Sequence, residues 1–249
     1  MDITGVTAVV TGANRGLGRA FAEGLLARGA QKVYAAARRP SRYDDRRIVG
    51  IELDITRPEQ VSAAAARCGD ANLLVNNAGI MMLQPLLAAP NMTAAQTEME
   101  TNYFGTLSMC REFAPVLGRN GGGAVVNVLS AASWYALPFN GSYCASKSAQ
   151  WSLTNAIRTE LRAQGTLVVG VYSGFIDTEM SESVVGAAKI SSQDVVAQTI
   201  DAVMGGHEEV LADEVSREIR NSLPRHLTTM YPKIQQQWDQ GRNPWGPRA

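Results

Sequence analysis

Short continuous runs of apolar residues recur along the chain and alternate with stretches of helical spacing. The runs are bounded by glycine and polar residues and are too short for helices, which indicates strands buried on both faces of a sheet. The predicted strands cover residues 6–10, 33–37, 48–53, 73–75, 124–129, 167–172 and 209–212.

Apolar residues at helical spacing fill the intervals. They predict helices over residues 16–28, 58–68, 93–117, 143–162, 194–204, 214–222 and 227–238, followed by a Gly/Pro-rich, irregular end over 241–249. The alternation favours a doubly wound α/β fold whose mostly parallel sheet is covered by helices on both faces. We find no repeat and no linker, so we predict one domain over residues 1–249, with a C-terminal helix and irregular tail over 224–249.

Composition narrows the function classes. The 249 residues are 45% hydrophobic and 18% charged with zero formal net charge, which argues against a nucleic-acid-binding surface. We see no signal peptide and no stretch near the roughly 20 apolar residues of a membrane span, so no membrane contact is expected. Cys68, Cys110 and Cys144 match no metal spacing and give no even disulfide set. We expect no metal and a reducing, cytoplasmic location.

A glycine-rich turn joins the first strand to the first helix. It runs from Thr11 to Gly18 and contains Gly12 and Gly16. Glycines there allow a tight turn and let a pyrophosphate approach the unpaired N–H groups of the helix. Many strand-to-helix turns contain glycine, but this context favours a dinucleotide site.

The end of the second strand bears on which dinucleotide binds. An NAD site places an acidic residue there for the ribose 2′-hydroxyl, yet no Asp or Glu occurs between Glu23 and Asp44. Arg38 and Arg39 follow the strand instead, and Arg15 lies in the glycine turn. Arginine suits a 2′-phosphate because its fork gives bidentate, charge-assisted bonds, so NADP(H) is favoured. The alternative is a solvated pair of loop charges.

Tyr143 and Lys147 lie one helical turn apart, on the same face of the predicted helix. An ammonium beside a phenol favours the phenolate and lowers the tyrosine pKa. A tyrosine tuned in this way can transfer a proton near neutral pH. Taken alone, the pair is equally compatible with a helix surface and a solvated lysine.

Four segments with candidate chemistry follow one another along the chain. They are the turn from Thr11 to Gly18, the segment 76–79 (Asn-Asn-Ala-Gly), Ser130, and Tyr143 to Lys147 as Y-x-A-S-K. In this order they resemble the short-chain dehydrogenase/reductase family in its single-domain form. Asn102 matches the helix asparagine of the family. The resemblance implies a Rossmann-type, seven-stranded sheet, a nicotinamide cofactor and redox chemistry between a carbonyl and an alcohol.

The resemblance also implies roles for individual residues. Tyr143 is the expected general acid/base, Ser130 fixes the carbonyl oxygen, and Lys147 binds the nicotinamide ribose and lowers the tyrosine pKa. Asn102 anchors a water beside the lysine. The expected cofactor contacts are Gly12, Asn14, Arg15, Gly16, Leu17, Gly18, Arg38, Asp54, Ile55, Asn77, Ala78, Gly79, Tyr143, Lys147, Ile176 and Thr178.

Simpler interpretations exist for several of these residues. Ser130 could cap a turn, Asn102 could bond backbone in a kinked helix, and Asp54 could cap the helix that starts near Pro58. Ser173 stands where the family usually has proline, which is expected to loosen the loop that leads to Thr178.

Apolar residues are expected around the substrate carbonyl, with no obvious arginine clamp. They are Trp134, Tyr135, Leu137, Phe139, Phe175, Met180, Val184 and Val185. A hydrophobic aldehyde, ketone or alcohol fits them better than a phosphorylated sugar. The favoured function is an NADP(H)-dependent oxidoreductase. An NAD-dependent alcohol dehydrogenase and a non-catalytic nicotinamide-binding sensor are the alternatives.

The helix predicted over 93–117 carries more apolar residues than one sheet-facing stripe needs, and Trp151 on the next long helix lies away from its apolar stripe. A second apolar face often marks a partner surface. We therefore expect a homo-oligomer, a tetramer or a dimer, paired through these two helices about a twofold axis. The alternative is that the C-terminal helices cover this face within one chain.

Overall fold

A seven-stranded parallel sheet forms the centre of the molecule, as the computed structural model, which describes residues 1–242, shows. Its strands are β1 (Thr7–Thr11), β2 (Lys32–Ala37), β3 (Ile48–Glu52), β4 (Leu73–Asn76), β5 (Ala124–Val128), β6 (Leu167–Tyr172) and β9 (Glu209–Leu211). Their order is β3-β2-β1-β4-β5-β6-β9. A small second sheet pairs β7 (Phe175–Ile176) with β8 (Lys189–Ile190). The predicted fold class, a doubly wound single domain, is confirmed.

Helices cover both faces of the sheet. They are α1 (Gly16–Ala27), α2 (Pro58–Arg67), α3 (Thr93–Met99), α4 (Thr106–Arg119), α5 (Gly141–Glu160), α6 (Ser192–Gly205), α7 (Glu214–Ser222), α8 (His226–Thr229) and α9 (Tyr231–Asp239). Along β1, Ala8 and Val10 join the apolar cluster under α1 and α6, whereas Val9 joins the cluster under α2, α4 and α5. The central strands β1, β4 and β5 are buried along their whole length, which explains their continuous apolar runs.

The helix predicted over residues 93–117 is present, but it is not α-helical throughout. A π-helical turn, Glu100–Gly105, separates α3 from α4. Asn102 lies in this turn. Its side chain forms hydrogen bonds with the backbone of Ile80 and with the hydroxyl of Ser146, and these bonds stabilise the wider turn. Single π turns inside helices occur frequently at functional sites.

The prediction of a single helix over residues 227–238 was wrong. It divides into α8 and α9 at Met230, just before Pro232. Proline has no N–H to donate and its ring clashes with the preceding turn, so it starts a new helix instead of continuing the old one. Of the predicted irregular end, residues 243–249 lie outside the described residues.

Within residues 1–242, no helix is both long enough and apolar enough to cross a membrane.

Candidate active site

A cleft of about 1290 Å³ opens at the carboxyl ends of the central strands. This is larger than the roughly 300–1,000 Å³ of a typical small-molecule pocket, so it has room for a dinucleotide together with a substrate. Parallel strands all end at this edge, which is why motifs far apart in the chain meet here. Each residue predicted above to contact the cofactor lines this cleft.

The glycine turn is closely packed against the end of β4. Gly12 has a φ of +65°, a backbone conformation that residues other than glycine rarely adopt. A Cβ on Gly18 would lie 2.2 Å from the carbonyl oxygen of Gly12, so no larger residue fits there. The Asn77 side chain donates to the carbonyl oxygen of Thr11 at 2.9 Å, and Thr11 Oγ1 accepts from the backbone N–H groups of Asn77 and Ala78 at 3.0 Å each.

The N-terminus of α1 fits a phosphate group. Arg15 is the N-cap residue of this helix, and its side chain makes no capping hydrogen bond. The first N–H groups of α1 therefore lack the side-chain acceptor that usually caps them, and they lie beside the cleft. Unpaired N–H groups and the helix dipole both favour an anion at this point.

The loop after β2 is attached to the glycine turn through Asn14. Its side chain accepts from the Ser41 N–H at 2.8 Å and donates to the carbonyl oxygen of Arg39. Arg15, Arg38 and Arg39 are exposed at the cleft, and none forms an ion pair with a carboxylate among residues 1–242. These guanidinium groups are free to bind an anionic group of a ligand.

Asp54 does not cap α2, whose N-cap residue is Arg57. Its Oδ1 instead accepts from the backbone N–H and the hydroxyl of Thr56, at 3.0 and 2.7 Å. Burial raises the pKa of the Asp54 carboxyl, but these hydrogen bonds and the charges of Arg38 and Arg57 outweigh it, so the pKa is lowered. The carboxylate is therefore ionised, and it lines the cleft.

Tyr143, Ser130 and Lys147 come together at the inner end of the cleft. Ser130 follows β5 and accepts from the Ala132 N–H at 3.1 Å, so it does cap the short turn Ala131–Ser133. Its hydroxyl is also near enough to the phenol of Tyr143 to act on the pKa of that phenol. The capping interpretation and the interpretation as a site residue are thus compatible.

The predicted lowering of the Tyr143 pKa is not found. Lys147 Nζ lies 5.8 Å from the centre of the Tyr143 ring, but burial raises the pKa of Tyr143, and the nearby hydroxyl of Ser130 only partly opposes this rise. Burial also lowers the pKa of Lys147 to about 7. The spacing correctly placed the two side chains near each other, but it could not reveal that desolvation dominates both groups.

Asn102 lies behind the cleft, fully buried. Its Nδ2 donates to the Ile80 carbonyl oxygen at 2.9 Å and to Ser146 Oγ at 2.8 Å, and its Oδ1 accepts from the Ile80 N–H at 2.9 Å. One turn earlier, buried Glu98 accepts from the Met82 N–H at 2.6 Å. These two side chains fix the segment that follows β4.

The loop after β6 is held at several points although Ser173 replaces the usual proline. The Ser173 carbonyl oxygen accepts from the Ala131 N–H at 2.8 Å, and the Gly174 N–H donates to Asp213 Oδ2 at 2.7 Å. Pairing of β7 with β8 fixes the next residues, up to the Asp177 N–H that donates to Ile190. The loosening expected from the missing proline is offset by these contacts.

The predicted substrate residues divide into two groups. Tyr135, Leu137, Phe175 and Met180 line the cleft. Among the described residues, the wall of the cleft does not include the remaining four, Trp134, Phe139, Val184 and Val185.

Contacts distant in sequence explain the incorrect predictions. Trp134 stacks on Tyr172 with ring centres 4.1 Å apart, and Phe139 packs 5.0 Å from the ring of Trp238 in α9. Val184 is buried, whereas Val185 is 81% exposed.

Two polar residues near the site were not anticipated. Asn140, the N-cap residue of α5, lines the cleft, and Gln150 is fully buried beside Lys147. The sequence did carry a signal for Gln150, since it is a polar residue three positions after Lys147, on the same side of the helix. For Asn140 we find no comparable signal.

Comparison with known proteins agrees with this arrangement. Residues 6–189 match the family model for the short chain dehydrogenases. A short chain dehydrogenase from Burkholderia cenocepacia, solved in complex with NADP, is 44% identical with a TM-score of 0.88, covering 94% of this chain and 99% of that one. A short chain dehydrogenase/reductase from Burkholderia phymatum, solved with NAD, is 25% identical with a TM-score of 0.77, covering 100% and 99%.

Among curated relatives, an 11-beta-hydroxysteroid dehydrogenase A from Sesamum indicum is 31% identical over 194 residues. The match takes in 73% of this chain but only 55% of that enzyme. The family model, by contrast, covers well over half of this chain and extends from β1 to β8. The chain belongs to the short-chain dehydrogenase/reductase family, and it is an oxidoreductase of that family.

Proposed function

We propose that the protein is an NADP(H)-dependent oxidoreductase that reduces a hydrophobic aldehyde or ketone to an alcohol, or catalyses the reverse reaction. The observation that carries the proposal is the meeting of Tyr143, Ser130 and Lys147 at the inner end of a cleft with a phosphate-binding turn at its other end. A non-catalytic sensor would not need this trio.

Ser130, Tyr143 and Lys147 have separate roles in the proposed reaction. When bound, the nicotinamide supplies or accepts the hydride. The hydroxyl of Ser130 holds the carbonyl oxygen of the substrate, and Tyr143 donates a proton to that oxygen as an alcohol forms. Lys147 binds the nicotinamide ribose with the N–H that its two protein acceptors leave free.

The proposed preference for NADP(H) rests on Arg15 and Arg38. Both are exposed at the cleft, near the end of β2, where an NAD site has an acidic residue. The NADP complex of the Burkholderia cenocepacia relative supports this preference, whereas the NAD complex of the Burkholderia phymatum relative keeps an NAD-dependent alcohol dehydrogenase as the alternative.

The proposed substrate class follows from the walls of the cleft near Tyr143. Leu137, Phe175 and Met180 present apolar surface there. An apolar carbonyl compound loses little hydration when it enters, and a phosphorylated sugar would lose much more.

The protein is proposed to act as a homo-oligomer, a tetramer or a dimer, in the cytoplasm. Phe104 and Trp151 remain 49% and 38% exposed, which supports a partner surface on α4, α5 and the π turn. The C-terminal helices lie elsewhere, because Tyr231 in α9 accepts from the Ala136 N–H. Three free, buried cysteines support a reducing compartment.

The proposed function is tested with a panel of aldehydes, ketones and secondary alcohols, read by the absorbance of NADPH and NADH. We expect turnover of apolar carbonyl compounds with NADPH. Turnover of alcohols with NAD alone supports the alternative. Cofactor binding without turnover on the whole panel, with Tyr143 and Lys147 intact, favours the sensor.

A further inference from the structure

Lys147 is held inside the protein by two neutral acceptors. Its Nζ donates to the carbonyl oxygen of Val128 at 3.0 Å and to Oε1 of Gln150 at 2.8 Å. The lysine is 4% exposed and Gln150 is 0% exposed, so bulk water does not replace either acceptor. An ammonium has three N–H donors, and these contacts leave one of them for a ligand in the cleft.

Gln150 is itself fixed from its other end. Its Nε2 donates to Thr106 Oγ1 at 3.0 Å, and that hydroxyl donates to the carbonyl oxygen of Asn102 at 2.9 Å. Because the amide nitrogen faces a hydroxyl already committed as a donor, the amide oxygen must face Lys147. The chain of hydrogen bonds therefore sets both the position and the orientation of the acceptor.

Among residues 1–242, the titratable groups around Lys147 provide no counter-ion. Tyr143 lies on the same helix, and Glu98 of α3 and Cys144 of α5 act on that tyrosine. Burial is what lowers the pKa of the lysine. A carboxylate at position 150 would favour the ammonium strongly, and an apolar residue would leave the ammonium without its acceptor. The neutral amide holds the ammonium yet still allows it to lose its proton.

We propose that Gln150 is a positioning residue for Lys147, and that its amide, anchored on Thr106, aims the lysine at the nicotinamide ribose and at Tyr143. This rests on the proposed oxidoreductase function. Gln150 acts through the lysine and makes no contact of its own with substrate or cofactor.

The test compares Gln150→Leu and Gln150→Glu with Thr154→Val as the matched control. Thr154 is another fully buried polar residue of α5. Its hydroxyl accepts from Asn127 at 2.9 Å and donates to the backbone carbonyl oxygen of Gln150 at 2.8 Å, so it controls for a disturbance beside Gln150 that leaves the Gln150 amide in place. NADPH binding is followed by fluorescence titration across the range from neutral to alkaline pH. The pH profile of kcat/KM for reduction is measured with a carbonyl substrate from the panel.

The two substitutions should move the alkaline limb of the profile in opposite directions. Gln150→Leu disfavours the ammonium, so the limb moves to lower pH, and NADPH binding weakens by roughly tenfold. Gln150→Glu favours the ammonium, so the limb moves to higher pH by about one unit or more. Thr154→Val should leave both the limb and the NADPH affinity unchanged.

The proposal is overturned if neither Gln150 variant shifts the limb or the pH dependence of NADPH binding. It is also overturned if Thr154→Val causes the same shifts, since the effect would then be structural. If no carbonyl compound is reduced, the proposed function fails, while the titration still tests the role of Gln150. Gln150→Glu nearly preserves side-chain size, so it carries the test if Gln150→Leu does not fold.

Discussion

The two ends of the cleft differ in how far their cationic side chains are exposed and in what those side chains bind. At the end that faces the glycine turn, Arg15, Arg38 and Arg39 are exposed cations without carboxylate partners among residues 1–242. At the proposed reacting end, Lys147 is buried and hydrogen-bonded to two neutral acceptors. In the proposed function, the first end recognises the charge of the cofactor and the second controls a proton.

This difference predicts how each end responds to substitution. Exposed cations interact with a ligand independently and are screened by solvent, so single changes there should alter preference without disturbing the fold. Buried, hydrogen-bonded groups depend on one another, so a change there should affect chemistry, binding and stability together. Four substitutions test this difference between the exposed and the buried groups.

The largest effect is expected for Tyr143→Phe. The substitution keeps the ring but removes the proposed acid, so kcat/KM for reduction should fall by at least about 10²–10⁴-fold. NADPH affinity should remain within about threefold, as fluorescence titration can establish. Tyr34→Phe, in β2, where the hydroxyl donates to Asp70 Oδ1 at 2.9 Å, is the control. Wild-type turnover by Tyr143→Phe would show that the proton comes from elsewhere.

Arg38→Asp should alter cofactor choice. Loss of one charge-assisted hydrogen bond, worth about 1.5–3 kcal/mol, should reduce the ratio of kcat/KM for NADPH over NADH by roughly tenfold or more. Arg46→Asp, in the same loop but not on the wall of the cleft, should leave the ratio in place. Equal use of both cofactors by the wild type would contradict the proposed preference.

Lys147→Met should give a pH-dependent gain in stability. Burial lowers the pKa of Lys147 from 10.5 to about 7, so between these values the unfolded chain binds a proton that the folded protein does not. Wild-type stability therefore rises with pH across this window, by up to about 1.4 kcal/mol per pH unit. The variant lacks this rise, so its advantage over the wild type should shrink as pH increases.

Urea denaturation between pH 7 and pH 10 measures this difference. Lys233→Met, which replaces an exposed lysine of α9, provides the baseline. A difference between Lys147→Met and wild type that stays constant over the window would mean that the buried lysine keeps its charge.

The smallest effect is expected on assembly. Phe104→Glu places a charge on the exposed apolar face of the π turn, and it should weaken pairing while sparing NADPH binding. Light scattering behind a sizing column should give two or four chain masses for the wild type at micromolar concentration. A single chain mass for the wild type would remove the proposed interface.

Positions fixed by strand ends could be predicted from the sequence. Ser130 and the Asn77–Gly79 segment follow parallel strands, and those ends converge whatever the rest of the chain does. Tyr143 and Lys147 followed from helical spacing alone. The predictions succeeded where local periodicity and sheet topology suffice.

Positions that depend on distant contacts could not be predicted. Trp134 was expected at the substrate but lies against Tyr172, and Phe139 lies against Trp238. Nothing in the local pattern around residues 134–139 indicates that the C-terminal helices pack there. The predicted lowering of the Tyr143 pKa was wrong for a similar reason. Burial raises this pKa, and burial is a property of the whole fold.

The π turn determines how α4 is rotated about the helix axis relative to α3. A π turn holds one residue more than an α-helical turn, and each residue advances an α-helix by about 100°. Glu98 and Asn102 can thus face the segment after β4 while Met109 and Phe113, further along, face the core. Deleting one residue from Glu100–Gly105 would restore a uniform helix and rotate one of these two faces out of place. We therefore expect the fold to tolerate substitutions at exposed positions of this helix, such as Phe104, but not the deletion of a single residue.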